Sequence, residues 1–135
     1  MREITLPAAA ESIPQVTAFV DEQLKALACP VKAQMQIDVA IDELFCNIAA
    51  YAYAPGTGEA TVCFDFDADT RTVSITFLDS GVPFDPRGIA DPNVKATAEE
   101  RGIGGLGIYL VKKTMDRMDY RYADGKNTLT IQKHI

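Results

Sequence analysis

The chain has 135 residues, of which 47% are hydrophobic and 24% charged, as in an ordinary soluble globular protein. That length suits one domain with a core that buries about two thirds of the unfolded surface. A formal net charge of −6 argues against a nucleic-acid binder, because phosphate contacts need a clustered basic surface. The sequence has three cysteines without close pairing, no zinc or haem motif, and no signal peptide or long apolar run. We therefore expect a reducing, cytoplasmic environment.

The first half of the chain is predicted to be mainly helical. Residues 2–6 form a short edge strand, and a helix then starts near Ser12 and stops before Pro30. A second helix starts near Val31 and ends at the Pro-Gly-Thr-Gly turn at 55–58. No linker separates the two helices.

The second helix carries a carboxylate and a carboxamide beside its buried face. Apolar residues recur at three- and four-residue steps over 37–52 and form one stripe. Glu43 and Asn47 lie one turn apart on the flank of this stripe, whereas Asp38 is expected to point away from it. A solvated pair and a pair that faces a ligand are both compatible with this spacing.

A hairpin with one apolar face follows. Residues 61–67 and 72–77 alternate between apolar and polar types, and the same parity places Asp79 on the inner face. A carboxylate there is costly unless hydrogen bonds are donated to it. Either the strand ends at Leu78 and Asp79 starts a turn, or Asp79 accepts hydrogen bonds from a ligand's N–H groups. In the second case Gly81 would let the backbone pass close to that ligand.

A long irregular segment and a glycine cluster come next. Residues 82–101 hold three prolines and many charges without a sustained period, which favours a functional lid. Four glycines lie where an apolar helical pattern begins, namely Gly102, Gly104, Gly105 and Gly107. Free N–H groups and the dipole at a helix start favour a phosphate there, although a flexible connector is the alternative.

The glycine spacing G-x-G-x-x-G does not identify a dinucleotide-binding unit here. That motif follows a buried strand in a parallel sheet, whereas these glycines follow a charged loop and little chain remains after them. The apolar helical pattern after the glycines runs to Met118. The chain then ends in two strands, 120–122 and 128–133, around an Asp-Gly turn, with Leu129 and Ile131 facing inward.

Taken in order, these features resemble the Bergerat-fold ATPases, which include gyrase, MutL and the histidine kinases. The resemblance is strongest to the RsbW-like anti-sigma-factor serine/threonine kinases. It rests on four blocks, namely ELFCNIAAYAY at 43–53, DSGVPFDP at 79–86, GGLGIYLVKKTMD at 104–116 and NTLTIQK at 127–133. The expected fold is α+β, a two-layer α/β sandwich with three helices on one face of a mixed, mostly antiparallel sheet. Residues 1–135 form one domain, with an ATP lid at about 82–103.

The resemblance implies ATP or ADP and Mg²⁺ as cofactors, and a role for each candidate residue. Glu43 would be the general base for a hydroxyl or a water, and Asn47 would coordinate a Mg²⁺ that bridges the phosphates. Asp79 would bind the adenine amino group, with Gly81 beneath the ring, and Thr128 would help Asp79 through a hydroxyl or water. The phosphates would lie against Gly102, Gly104, Gly105, Leu106 and Gly107.

The resemblance also implies partners. The chain would phosphorylate a STAS-type anti-anti-sigma factor, bind a sigma factor and form a homodimer, without direct nucleic-acid or membrane binding. Pro83 replaces the second glycine of the D-x-G-x-G box, as in RsbW-like proteins, and Tyr51 stands where many of them have histidine. A nucleotide-gated binding module without useful phosphoryl transfer and a stand-alone hydrolase are the alternatives.

Overall fold

The structure, a computed structural model, describes residues 1–88 and 106–135. The strands are β1 (Arg2–Pro7), β2 (Glu59–Asp67), β3 (Thr72–Asp79), β4 (Arg117–Ala123) and β5 (Lys126–His134). The α-helices are α1 (Ile13–Ala26), α2 (Val31–Asn47) and α3 (Leu106–Thr114). Within these two described ranges, no helix is long and apolar enough to cross a membrane.

The five strands form one sheet in the order β1-β2-β3-β5-β4. All four pairings between these described strands are antiparallel, where the sequence predicted a mixed, mostly antiparallel sheet. The chain reaches the sheet edge through β4 and returns as β5 between β4 and β3. Asp124 and Gly125 make that return with φ values of 55° and 74°, which suit an Asp-Gly hairpin turn. The predicted α+β fold class is confirmed.

The core lies between the sheet and the three helices. Alternating residues of β2, β3 and β5 meet the apolar stripe of α2, and α2 packs against both α1 and α3. Ile41 on α2 and Phe77 on β3 are at most 1% exposed. Burial of each such large side chain contributes about 1.5–3 kcal/mol. This packing fixes α2 directly above the ends of β3 and β5.

Two helix ends differ from the pattern in the sequence. The apolar pattern of α3 continues to Met118, but the helix stops at Thr114 and Met118 lies in β4. The C-terminal end of α2 is followed directly by a π-helical turn, Ile48–Ala52. The carbonyl of Ala52 accepts a hydrogen bond from Val82 N at 2.8 Å. The π-helical turn therefore contacts the chain just after β3.

Candidate functional site

A pocket opens between α2, the π-helical turn and the ends of β3 and β5. Its walls are mostly apolar, as is usual for small-molecule sites. Three side chains place an amide or a carboxylate in these walls, namely Asn47, Asp79 and Asn127. The fold thus brings Asn47 and Asp79, selected from separate parts of the sequence, to one cavity.

Asp79 occupies the inward position that strand parity predicts. β3 extends to Asp79, which is 7% exposed, so the alternative that the strand ends at Leu78 is wrong. Its Oδ1 accepts hydrogen bonds from Gly81 N at 2.9 Å and from Asn127 Nδ2 at 2.8 Å. These contacts satisfy one oxygen of the buried carboxylate and leave Oδ2 to accept from a ligand N–H.

Asn127, and not Thr128, is the β5 residue beside Asp79. The register pairs Asp79 with Asn127 and Leu78 with Thr128. Residues directly opposite one another share a face, so Thr128 lies on the face away from the helices. The sequence-based assignment to Thr128 is therefore wrong by one residue. Because side chains alternate along a strand, a shift of one residue places the side chain on the opposite face of the sheet. Counting back two positions from inward Leu129 would have identified Asn127.

Asn127 is also the centre of a hydrogen-bond network. It is 5% exposed, and its Nδ2 donates to Asp79 Oδ1 and to Val82 O at 2.9 Å. Its Oδ1 accepts from Phe84 N at 3.2 Å and from the Tyr120 hydroxyl. The segment that follows β3 is therefore tied to both β4 and β5.

Gly81 has a structural reason to be glycine. A Cβ atom at this position would lie 2.6 Å from Ala52 Cβ and would also overlap the Ala52 carbonyl group. The resemblance assigned Gly81 to a ligand ring. In the described structure, glycine is required at position 81 because the π-helical turn packs against the end of β3 and leaves no room for a side chain.

Glu43 lies on the seam between α2 and α3. A Cβ atom at Gly107 would fall 2.6 Å from Glu43 Oε1 and would overlap the rest of the carboxylate, so Gly107 leaves the space that Glu43 occupies. Burial, and to a lesser extent Asp42, raise the pKa of Glu43 above its ordinary value. A carboxylate with a raised pKa is a stronger base, which suits proton abstraction from a hydroxyl.

Asn47, one turn after Glu43, has unused hydrogen-bonding capacity. Its Nδ2 is buried and has no partner among the residues that the structure describes. A buried amide without a partner in a pocket wall fits a ligand-binding role, because leaving it unpaired is costly. Its Oδ1 is a ligand of the oxygen type that Mg²⁺ prefers, and its Nδ2 can donate to a phosphate oxygen. The residues present therefore fit a Mg²⁺-nucleotide.

Only some of the remaining predicted residues lie in the described part of the chain. Gly102, Gly104, Gly105 and the expected lid from residue 89 onward lie outside the described residues, as does the side chain of Leu106. Tyr51 is described, lines the pocket and is 56% exposed. Its ring packs against Phe84, with 5.8 Å between the ring centroids. Tyr51 and Phe84 therefore form an aromatic wall of the pocket, where a flat base could stack.

Three helices over an antiparallel sheet, with a pocket that holds Asn47, Asp79 and Asn127 at the ends of β3 and β5, define an ATPase domain of the histidine-kinase type. The chain belongs to the histidine kinase-like ATPase domain family, which it matches over residues 6–133. The resemblance stated from the sequence is thereby confirmed.

Named relatives are protein kinases. The chain is 27% identical over 103 residues to the serine/threonine-protein kinase BtrW of Bordetella bronchiseptica, which covers 76% of this chain and 72% of that protein. It is 26% identical over 137 residues to the serine-protein kinase RsbW of Bacillus cereus, covering 98% of this chain and 84% of that protein.

Solved structures share the fold. A chain of the SiaB-SiaC complex from Pseudomonas aeruginosa superposes with a TM-score of 0.65 at 19% identity, covering 100% of this chain and 90% of that one. The histidine kinase domain of the blue-light activated kinase EL346 from Erythrobacter litoralis gives a TM-score of 0.55 at 13% identity. That match covers 95% of this chain and 61% of the other.

Proposed function

We propose that this chain is an ATP-dependent protein serine/threonine kinase that phosphorylates a STAS-type anti-anti-sigma factor in partner switching. The observation that carries the proposal is the arrangement on α2. Glu43, with a raised pKa, is packed on Gly107, one turn from the unpartnered amide of Asn47. Asp79 lies in the same pocket as Asn47. The names of the relatives from Bordetella and Bacillus support the kinase activity.

In this proposal ATP lies with its base near Asp79 and its phosphates near Asn47. Asp79 Oδ2 accepts the N–H of the adenine amino group. Asn47 Oδ1 holds Mg²⁺, which neutralises charge on the phosphates when it is bound. The backbone of the helix start and the lid at 82–103 enclose the phosphates, through Gly102, Gly104, Gly105, Leu106 and Gly107.

Glu43 is the proposed catalytic base. The acceptor hydroxyl approaches along the α2–α3 seam and gives its proton to a Glu43 carboxylate oxygen. The hydroxyl oxygen forms a bond to the γ-phosphorus as the bond from that phosphorus to the bridging oxygen of ADP breaks. The products are a phosphorylated side chain, ADP and protonated Glu43, which returns its proton to solvent.

The proposal extends to partners and location. The unphosphorylated STAS protein is the substrate, a sigma factor is the protein bound and silenced, and the kinase is a homodimer in the cytoplasm. The complex of SiaB with SiaC shows that a protein of this fold assembles with another protein.

The test combines Mg²⁺-dependent ATP binding by calorimetry with phosphate transfer to a candidate STAS protein. We expect Asp79→Asn and Asn47→Ala to weaken ATP binding by about tenfold or more, since each removes a buried polar contact. Glu43→Gln should nearly abolish transfer and leave ATP binding in place.

The outcomes separate the alternatives. ATP binding by the wild type without transfer to any STAS protein would favour a nucleotide-gated binding module. Loss of binding and transfer together in Glu43→Gln would contradict the division of roles. Absence of ATP binding by the wild type would overturn the nucleotide site itself.

A further inference from the structure

We infer that Asn127 and Tyr120 are a positioning pair that orients Asp79 toward the base of the nucleotide and holds the pocket wall at Val82–Phe84. This inference rests on the proposed function, because it assigns residues to the base end of that site. It gives a role in ligand recognition to two side chains of β4 and β5 that the sequence did not select.

The orientation of the Asn127 amide is fixed by its neighbours. Both of its Nδ2 donors meet acceptors, namely Asp79 Oδ1 at 2.8 Å and Val82 O at 2.9 Å. The amide oxygen meets donors from Phe84 N and from the Tyr120 hydroxyl. A flipped amide would set oxygen against a carboxylate and a carbonyl, so only one orientation satisfies the buried group.

This fixed amide determines which oxygen of Asp79 is available. Asn127 and Gly81 N both donate to Oδ1, which restrains rotation of the carboxylate and assigns Oδ2 to the ligand. An amino group on the base can donate to that oxygen. A base with a carbonyl at the same position would place oxygen against oxygen, which costs the complex an unpaired buried group. The pair therefore favours adenine over guanine.

Tyr120 holds the other side of the network. Its hydroxyl donates to Asn127 and accepts from Phe84 N at 3.2 Å. The guanidinium of Arg87 lies 5.9 Å from the centre of its ring and is paired with Asp85 at 2.8 Å. Burial raises the pKa of the Tyr120 hydroxyl, which keeps it protonated and able to donate. Tyr120 thus anchors the segment that leads from Asp79 toward residue 89.

The decisive variant is Asn127→Asp, which replaces the donor to Asp79 with a second carboxyl group. Two adjacent buried carboxyl groups hold a shared proton more tightly than either group does alone. At about pH 8 we expect ATP affinity at least about tenfold below wild type, because the donor is lost. At about pH 6 the shared proton restores a hydrogen bond, and the ratio to wild type should recover by several fold. Among the described residues, the titratable groups near Tyr120 are Asp79, Asp85 and Tyr122, and the charged Arg87 lies over its ring.

Two further variants isolate the effect. Asn127→Leu has no donor, so its affinity should stay low relative to wild type at both pH values. Tyr120→Phe keeps the ring beneath Arg87 and loses the hydroxyl, so we expect a smaller loss of ATP affinity and reduced preference for ATP over GTP. Thr130→Val, on the other face of β5, is the matched control.

Each result decides the matter. Recovery of Asn127→Asp at low pH, without recovery of Asn127→Leu, supports the pair. An equal loss of ATP affinity in Asn127→Asp and Asn127→Leu at both pH values would show that Asn127 has a merely structural role. A wild-type preference for ATP over GTP in Tyr120→Phe would show the same for Tyr120. If the wild type binds ATP and these outcomes fail, only the pair is overturned. If the wild type does not bind ATP, the proposed function itself fails.

Discussion

The carboxylate of Glu43 on α2 occupies the space that a side chain at Gly107 on α3 would need. Alanine normally stabilises a helix relative to glycine by about 1 kcal/mol. At position 107, however, the added carbon would displace the proposed base. We expect Gly107→Ala to lower phosphoryl transfer by about tenfold or more, because small displacements of a catalytic group are costly.

The matched control for this prediction is Gly88→Ala. A Cβ atom at position 88 would meet no atom of the described residues within 4 Å, so the urea midpoint of this variant should equal that of the wild type. Both variants are assayed for transfer and for the urea midpoint. Wild-type transfer in Gly107→Ala would mean that Glu43 can move freely and that the close packing on α3 is irrelevant to the chemistry.

Sequence periodicity predicted the elements that face the core. The three-to-four spacing of α2 placed Glu43 and Asn47 on the flank that contacts α3 and the pocket, and the two-residue period of β3 carried through to Asp79. These predictions succeed because each position follows from the geometry of a single element. The sequence pattern extends α3 beyond its observed end, because Met118 suits an inward position on a strand as well as a position on a helix.

Features that depend on two elements were not predictable in this way. Asp38 lies off the apolar stripe and was expected to point away, but α1 packs on that side and half-buries it. Asn127 was missed because only apolar residues were used to assign the faces of β5. The need for Gly81 comes from Ala52, a contact between segments that no local pattern encodes.

Gly81→Ala is expected to destabilise the protein. The new Cβ would overlap the Ala52 backbone, separate the π-helical turn from β3 and break the bond from Val82 N to Ala52 O. Overpacking of this kind costs about 1–3 kcal/mol in the free energy of unfolding. Urea denaturation of the wild type, Gly81→Ala and Gly88→Ala measures the effect. Equal midpoints for all three proteins would contradict the steric argument.

Asp38 should make stability depend on pH. Asp21 Oδ1 and Asp38 Oδ1 are both buried, and burial, followed by the hydrogen bond and charge of Asp21, raises the pKa of Asp38 to about 7. Between its ordinary value of 3.8 and about 7, the folded protein keeps a proton that the unfolded chain releases. The free energy of unfolding should therefore fall as pH rises through this window.

The test of this dependence is Asp38→Asn, which supplies a permanent N–H donor. Its urea midpoint should exceed that of the wild type at about pH 8, and the difference should shrink toward about pH 4. Glu22→Gln, at an exposed position on α1, is the control and should follow the wild type at every pH. Parallel curves for Asp38→Asn and the wild type would show that the carboxyl pair holds no extra proton.

Ala28, two residues after the end of α1, has a backbone conformation that suits glycine. Its φ is 54°, and the bonds Cys29 N to Leu24 O and Ala28 N to Lys25 O form a helix-terminating pair of the Schellman type. A left-handed residue with a side chain costs about 1–2 kcal/mol, partly offset by the greater flexibility that glycine has when unfolded. Ala28→Gly should therefore raise the free energy of unfolding by about 0.5–1 kcal/mol.

The same substitution is expected to have the opposite effect on stability two residues earlier. Ala26 is exposed in the last turn of α1, where Ala26→Gly should lower the free energy of unfolding by about 0.5–1 kcal/mol. Urea denaturation at one pH compares the two variants, which make the same chemical change at either side of the helix end. A loss of stability in both would show that chain entropy, and not the backbone conformation at residue 28, controls this helix end. A gain in Ala28→Gly alone would locate the strain at that residue.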